Sequence, residues 1–289
     1  MAVMYSTLIT PAELRRLMDQ GAPLKVFDCS FDLMQPAAGA AQFLERHIPG
    51  ARHMDLEHDL SAAPGAPRAS GGRHPLPTRE DFAVRLAARG VNGDTQVVVY
   101  DRQGVNYAGR LWWMLKWCGH EAVAVLDGGL QAWEAEGGAW AQGNDDTTVP
   151  PGNFRLGSPL ARMVDTASLA RDLGTPGLTV LDARGTPRFL GETEPLDPVA
   201  GHIPGALNRP FGQNIGPDGR FKPAGQLRAE FLALLGQRAP ANVVHHCGSG
   251  VSAVPNVLAM EIAGLGRAAL YAGSWSEWCN TPGLPVARG

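Results

Sequence analysis

Apolar residues recur along the chain in two alternating rhythms. In the first half, short apolar runs at 24–27, Gln96–Tyr100 and 122–126 predict buried strands. Between them, helical periodicity predicts helices over Pro11–Asp19, Arg79–Ala88 and 106–117, and another from Gly128-Gly129 to about Glu136. Thr10 stands where an N-cap belongs, with Pro11 at the first helical position. The second half repeats the order at 167–173, 179–181, Ala224–Leu235, 242–246, 249–263 and 268–270. Short apolar strands separated by helical crossovers imply an α/β fold, with a mostly parallel sheet covered by helices.

The repetition reaches individual residues. Val26-Phe27-Asp28 is answered by Val180-Leu181-Asp182, and His47-Ile48-Pro49-Gly50-Ala51 by His202-Ile203-Pro204-Gly205-Ala206. Residues 98–105 line up with 244–251, which sets Asp101 against Cys247, and Leu126-Asp127-Gly128-Gly129 lines up with Leu270-Tyr271-Ala272-Gly273. A period of about 150 residues marks a duplicated domain rather than a solenoid, whose repeats run about 20–50 residues. The expected division is an N-terminal domain at 1–142, a linker at 143–160 rich in Gly, Asp, Thr and Pro, and a C-terminal domain at 161–289.

Composition narrows the classes. A chain of 289 residues suits two domains, and 44% hydrophobic residues with 36 glycines and 23 prolines read as globular and rich in turns. A formal charge of −3 suggests no broad basic surface for nucleic acid. No apolar run approaches the roughly 18–20 residues that span a bilayer, so no membrane partner is expected. The first residues carry no secretory pattern. Cys29, Cys118, Cys247 and Cys279 lack paired spacing and read as free thiols of a cytoplasmic protein.

The chemistry concentrates at Cys247. A strand that stops at this cysteine and turns through Gly248-Ser249-Gly250 into a helix puts the sulfur near a helix N-terminus. Unpaired N–H groups there favour the thiolate and can hold an anion against it. Gly248 and Gly250 let the backbone curl, and Ser249 and Ser252 add hydroxyls. Asp28, Asp101, Asp182 and Cys247 all follow strand ends, where ligands collect in such sheets. Asp28 and Asp182 read as carboxylates that satisfy turn amides. Asp101 cannot attack as a thiolate, so only the second half is equipped for sulfur chemistry. His245 and His246 point to opposite faces of a strand and lack further ligands at metal-binding spacing, so no metal is expected.

The duplication, a His-Ile-Pro-Gly-Ala in each half, Asp101 in place of a first cysteine, and the loop Cys247-Gly248-Ser249-Gly250-Val251-Ser252-Ala253 resemble the tandem-domain rhodanese family. Within it, the loop is most similar to the 3-mercaptopyruvate sulfurtransferase branch. The likeness runs from about residue 6 to residue 289 and includes Tyr271-Ala272-Gly273-Ser274-Trp275-Ser276-Glu277-Trp278. It implies two tandem rhodanese-like domains, the first catalytically inactive. It implies that Cys247 takes a sulfane sulfur as a persulfide and passes it to a thiol, a thioredoxin-like protein or cyanide, with no cofactor.

By the same resemblance Ser249, His74 and Glu57 belong with Cys247 in catalysis. Arg188, Gly248, Gly250, Val251, Ser252 and Tyr107 would line the substrate, with Phe31 at a second aromatic position. Arg188 matches the carboxylate-binding arginine, a bidentate role suited to a guanidinium. The branch carries another arginine shortly afterwards; here Leu196, or a neighbour in Glu194-Pro195-Leu196-Asp197, takes its place. The expected donor is a small anion, 3-mercaptopyruvate ahead of thiosulfate, because no basic residue directly follows Cys247 to neutralise a dianion. The alternatives are thiosulfate sulfurtransfer and a persulfide carrier without turnover. A cysteine phosphatase is disfavoured, since it needs an arginine six residues after the cysteine, where Ala253 stands.

Overall fold

The computed structural model describes residues 3–144 and 149–289, so residues 145–148 of the expected linker lie outside the described residues. The chain forms two compact units. The first holds the described residues up to Pro67 and within Pro77–Leu160, together with Pro217–Arg220. The second holds Arg68–Leu76, Ala161–Gly216 and Phe221–Gly289.

The first unit runs β1 (Leu8–Ile9), α1 (Pro11–Asp19), β2 (Leu24–Asp28), α2 (Ala38–Glu45), β3 (Ala51–His53), α3 (Arg79–Ala88), β4 (Gln96–Tyr100), α4 (Ala108–Trp117), β5 (Val123–Leu126) and α5 (Gly129–Ala135). Its strands are all parallel, in the order β1-β5-β4-β2-β3. The second runs β6 (Met163–Val164), α6 (Thr166–Asp172), β7 (Thr179–Asp182), α7 (Thr186–Leu190), β8 (Leu207–Asn208), α8 (Ala224–Leu235), β9 (Val243–His246), α9 (Val254–Ile262), β10 (Ala269–Tyr271) and α10 (Ser274–Trp278). Its parallel order, β6-β10-β9-β7-β8, is that of the first sheet strand for strand.

Local chemistry explains the elements read from sequence. Thr10 and Glu13 form a reciprocal capping box at α1, an arrangement worth about 1 kcal/mol. The central strand β4 is buried throughout, as its continuous apolar run requires. The repeated His-Ile-Pro-Gly-Ala is a structural device. His47 stacks on Phe43 and His202 on Phe189, each pair with centroids 3.9 Å apart. His47 Nδ1 lies 2.7 Å from the Phe43 carbonyl, and His202 Nδ1 lies 2.8 Å from that of Phe189. Ile48 and Ile203 are wholly buried behind these turns. Among the described residues no helix is long and apolar enough to cross a membrane.

Two expectations change. The helix expected at 249–263 begins only at Val254, because residues 248–253 curl through Gly250 at φ +73° before Pro255 enters the first turn. The described end of the expected linker is bonded to the first unit rather than spanning freely. Gly152 donates to the Ala87 carbonyl at 2.7 Å, Gly157 to Cys118 at 3.0 Å and Leu160 to Lys116 at 2.9 Å, with Phe154 buried between.

Candidate active site

The second unit builds its site at the carboxyl end of β9, the central strand of its sheet. Cys247 follows that strand directly and is buried. Its N–H donates to Ser274 Oγ at 3.1 Å, and its carbonyl accepts from Trp275 N–H at 2.9 Å. The Gly248 carbonyl accepts from Ser276 N–H at 2.8 Å. The turn after β10 therefore pins the loop from behind. A β-carbon at Gly250 would lie 2.1 Å from the Ala272 carbonyl oxygen, so close approach as well as positive φ requires glycine there.

The carbonyls of Cys247 and Gly248 are fixed from behind, but several N–H groups of the loop are not taken up. Those of Ser249, Val251, Ser252 and Ala253 meet no protein acceptor among the described residues. At the matching place in the first unit the donors are consumed. Asp101 Oδ1 accepts from Gln103 and Val105 at 2.9 and 3.0 Å, and Oδ2 from Tyr107 and Ala108 at 2.8 Å each. Residues two, four and six after Cys247 are thus the counterparts of residues that bind a carboxylate after Asp101.

Arg68–Leu76, though early in sequence, is part of this second unit. Gly71 N–H donates to Glu277 Oε2 at 3.1 Å, and Arg73 N–H to Ser276 Oγ at 3.0 Å. A β-carbon on Gly72 would fall 2.5 Å from the Gly273 carbonyl oxygen, which explains the close docking of a glycine pair on the start of α10. His74 is thereby buried with Nδ1 2.8 Å from Ser249 Oγ. Glu57 and Tyr107 belong to the first unit. Glu57 is exposed, its backbone N–H on Asp55. Tyr107 packs edge-on against Phe31 with centroids 5.4 Å apart.

Charged groups form a chain across the second unit. Arg184 is buried on Asp182, at 2.7 Å, and lies over the Trp275 ring, so it is a structural residue. Arg188 reaches Glu194 Oε1 at 2.6 Å and Asp197 Oδ2 at 3.3 Å. Leu196, where a second arginine was sought, only donates its backbone N–H to Glu194. Asp197 Oδ1 instead receives Arg73 Nη1 at 2.8 Å, a partner that sequence reasoning missed. Burial lifts the Asp197 carboxyl above its ordinary value although Arg73 and Arg188 oppose it. Burial would also raise Asp182, but His246 and Arg184 beside it hold its carboxyl below the usual range.

Burial also acts on the remaining candidates. Burial pushes the thiols of Cys29, Cys118 and Cys279 up, that of Cys118 to about 12, which disfavours their thiolates. Burial lowers His245 to about 3, and its Nε2 sits 3.1 Å from Met260 Sδ. No group of three or more His, Cys, Asp or Glu among the described residues is arranged to hold a metal ion.

Comparison with known proteins agrees in both halves. The rhodanese-like domain family matches residues 10–136 and again 165–281. The chain is 47% identical over 283 residues to a Pseudomonas aeruginosa protein named "Probable 3-mercaptopyruvate sulfurtransferase", covering 98% of each. It is 32% identical over 284 residues to the thiosulfate sulfurtransferase of Bos taurus, covering 96% of this chain and 93% of that one. The crystal structure of a 3-mercaptopyruvate sulfurtransferase from Escherichia coli superposes with a TM-score of 0.78 at 30% identity, covering 93% of this chain and 99% of that one.

Proposed function

The chain belongs to the tandem rhodanese-domain sulfurtransferases, and from that premise we propose that it moves the sulfur of 3-mercaptopyruvate to a thiol or cyanide through a persulfide on Cys247. The observation that carries this reading is the loop after Cys247, in which the N–H groups of Ser249, Val251, Ser252 and Ala253 have no protein acceptor among the described residues. Donors fixed in advance around a buried atom stabilise charge that develops there, at no cost in reorganisation.

The reaction follows in two steps. The Cys247 thiolate attacks the donor sulfur, and the carbon–sulfur bond breaks with its electron pair going to carbon. The product is the enolate of pyruvate, which then takes up a proton. The His74–Ser249 contact at 2.8 Å supplies a path for that proton, with histidine acting through the serine hydroxyl. The outer sulfur stays on Cys247, its partial negative charge held by the loop N–H groups. In the second step an acceptor thiolate or cyanide attacks the outer sulfur and Cys247 leaves as thiolate. Arg188, beside the loop, holds the donor carboxylate, while Val251 and Ser252 complete the cradle. A thioredoxin-like protein in the cytoplasm, where the four free thiols stay reduced, is the proposed acceptor.

Thiosulfate is the competing donor. It carries two charges, while the residues after Cys247, Gly248 and Ser249, are uncharged. We therefore expect kcat/KM for 3-mercaptopyruvate to exceed that for thiosulfate by about tenfold or more, a difference of about 1.4 kcal/mol. Steady-state thiocyanate formation from each donor with cyanide tests this. Equal or better use of thiosulfate overturns the donor assignment, and a single turnover without catalysis makes the protein a carrier.

A further inference from the structure

Arg73 and Arg188 lie on the same face of the loop. A β-carbon placed on Gly248 would be 3.3 Å from Arg73 Nη2 and 3.5 Å from Arg188 Nη1. Each guanidinium spends another nitrogen on a carboxylate. Arg73 Nη1 donates to Asp197 Oδ1 at 2.8 Å, and Arg188 Nη2 to Glu194 Oε1 at 2.6 Å and Asp197 Oδ2 at 3.3 Å. Asp197 thus bridges the pair and fixes their separation. Arg73 Nε is buried with no hydrogen-bond partner, so the guanidinium is not saturated by protein. With its backbone tied to Ser276 and its neighbour His74 on Ser249, Arg73 is held in this place rather than drifting at the surface.

Resting on the reading of Cys247 as the sulfur acceptor, we infer that Arg73 is a donor-binding residue that closes on the donor carboxylate opposite Arg188. The guanidinium nitrogens facing Gly248 offer a planar carboxylate one donor for each oxygen. The charges nearby also set the class of donor. Arg73 and Arg188 are balanced by Glu194 and Asp197, and Arg184 by Asp182. The site is therefore near neutral before substrate arrives, and suits one negative charge on a carboxylate set apart from the transferred sulfur.

The test compares two donors that differ only in that carboxylate: 3-mercaptopyruvate and 1-mercaptopropan-2-one. Arg73→Ala should raise KM for 3-mercaptopyruvate about tenfold or more, the scale of one lost charge-assisted hydrogen bond, with kcat changed less than about threefold. The inhibition constant of pyruvate should rise in parallel, and Arg73→Lys should recover part of the loss. With the neutral donor, wild type and Arg73→Ala should agree within about twofold, a comparison that a merely structural role for Arg73 would not satisfy. Should Arg73→Ala fail to fold, Arg73→Gln keeps a donor for Asp197 and carries the same expectation. An unchanged KM for 3-mercaptopyruvate, or equal losses on both donors, overturns the assignment of Arg73 alone. A wild-type protein that forms no persulfide from either 3-mercaptopyruvate or thiosulfate overturns this inference together with the proposed function.

Discussion

The loops at 101–107 and 247–253 occupy the same place in the two sheets but differ in backbone, since Val105 has φ +71° and its counterpart Val251 is not left-handed. Both follow the central strand of a five-stranded parallel sheet, and both are pinned at the first carbonyl, by Leu130 N–H on Asp101 and by Trp275 N–H on Cys247. In the first, the leading side chain is a carboxylate that accepts four backbone N–H groups and fills its own cradle. The next residue, Arg102, turns away to Asp28 at 2.8 Å and to Ser30. In the second, the leading side chain is a thiol, the next residue is glycine, and two arginines from elsewhere in the unit approach the space that this glycine leaves. One loop thus has its N–H donors taken up by its own first side chain, while the other keeps donors without a protein acceptor among the described residues, which the proposed chemistry would use.

The largest expected effect comes from exchanging the leading residues. Cys247→Ser should fold as wild type yet lose all transfer, and lose the added sulfur (about 32 Da) that donor treatment places on the wild-type protein. Adding Asp101→Cys to that variant should restore nothing. Arg102 and Gln103 occupy the positions of Gly248 and Ser249, so the transplanted thiol has neither the open face nor the hydroxyl. Persulfide on residue 101 of the double variant, with turnover, would show that the loops differ only in their first side chain.

A smaller effect tests the stabilising use. Asp101→Ala leaves four N–H groups, three of them buried, without their acceptor, and unsatisfied buried groups cost about 1–3 kcal/mol each before relaxation or water. We expect urea denaturation to report a loss of about 3–4 kcal/mol. A loss below about 1 kcal/mol would mean that the cradle stands without its carboxylate. Gly250→Ala should cost about 2 kcal/mol or more, and most of the activity with it. The new methyl group meets the Ala272 carbonyl at 2.1 Å, so the loop must move away from the turn that pins it.

How much of this could be read from the chain depended on the range of the interactions. Helices α1, α3 and α8 have the predicted limits, because apolar periodicity and, for α1 and α3, an N-cap threonine are local to each segment. The equivalence of the two loops was legible because the duplication supplies its own alignment. The edge strands β1, β3, β6 and β8 are not predicted, since each is only two or three residues long and is defined by its neighbour rather than by its pattern. Nothing near Gly71-Gly72-Arg73-His74 announces that this segment docks on residues 273–277, about two hundred positions away. Residues 194–197 hold no arginine, and the partner that Asp197 finds, Arg73, comes from this distant segment. A local signal did exist in the glycine pair, which marks close backbone approach without naming the partner.

The smallest expected effect separates strain from crowding at the paired glycines. Gly104 corresponds to Gly250 and has a similar φ, +66° against +73°, so a side chain at either place incurs the left-handed penalty of about 1–2 kcal/mol. Their surroundings differ. A β-carbon on Gly104 meets nothing within 4 Å. Gly104→Ala should therefore cost only the conformational term, about 1 kcal/mol, and leave persulfide formation on Cys247 unchanged. Gly104→Asn should cost less, since asparagine tolerates the left-handed region better than alanine. Denaturation midpoints for Gly104→Ala, Gly104→Asn and Gly250→Ala read the two contributions apart. If Gly104→Ala costs as much as Gly250→Ala, positive φ alone explains both glycines, and the contact with Ala272 is not what makes the second loop sensitive.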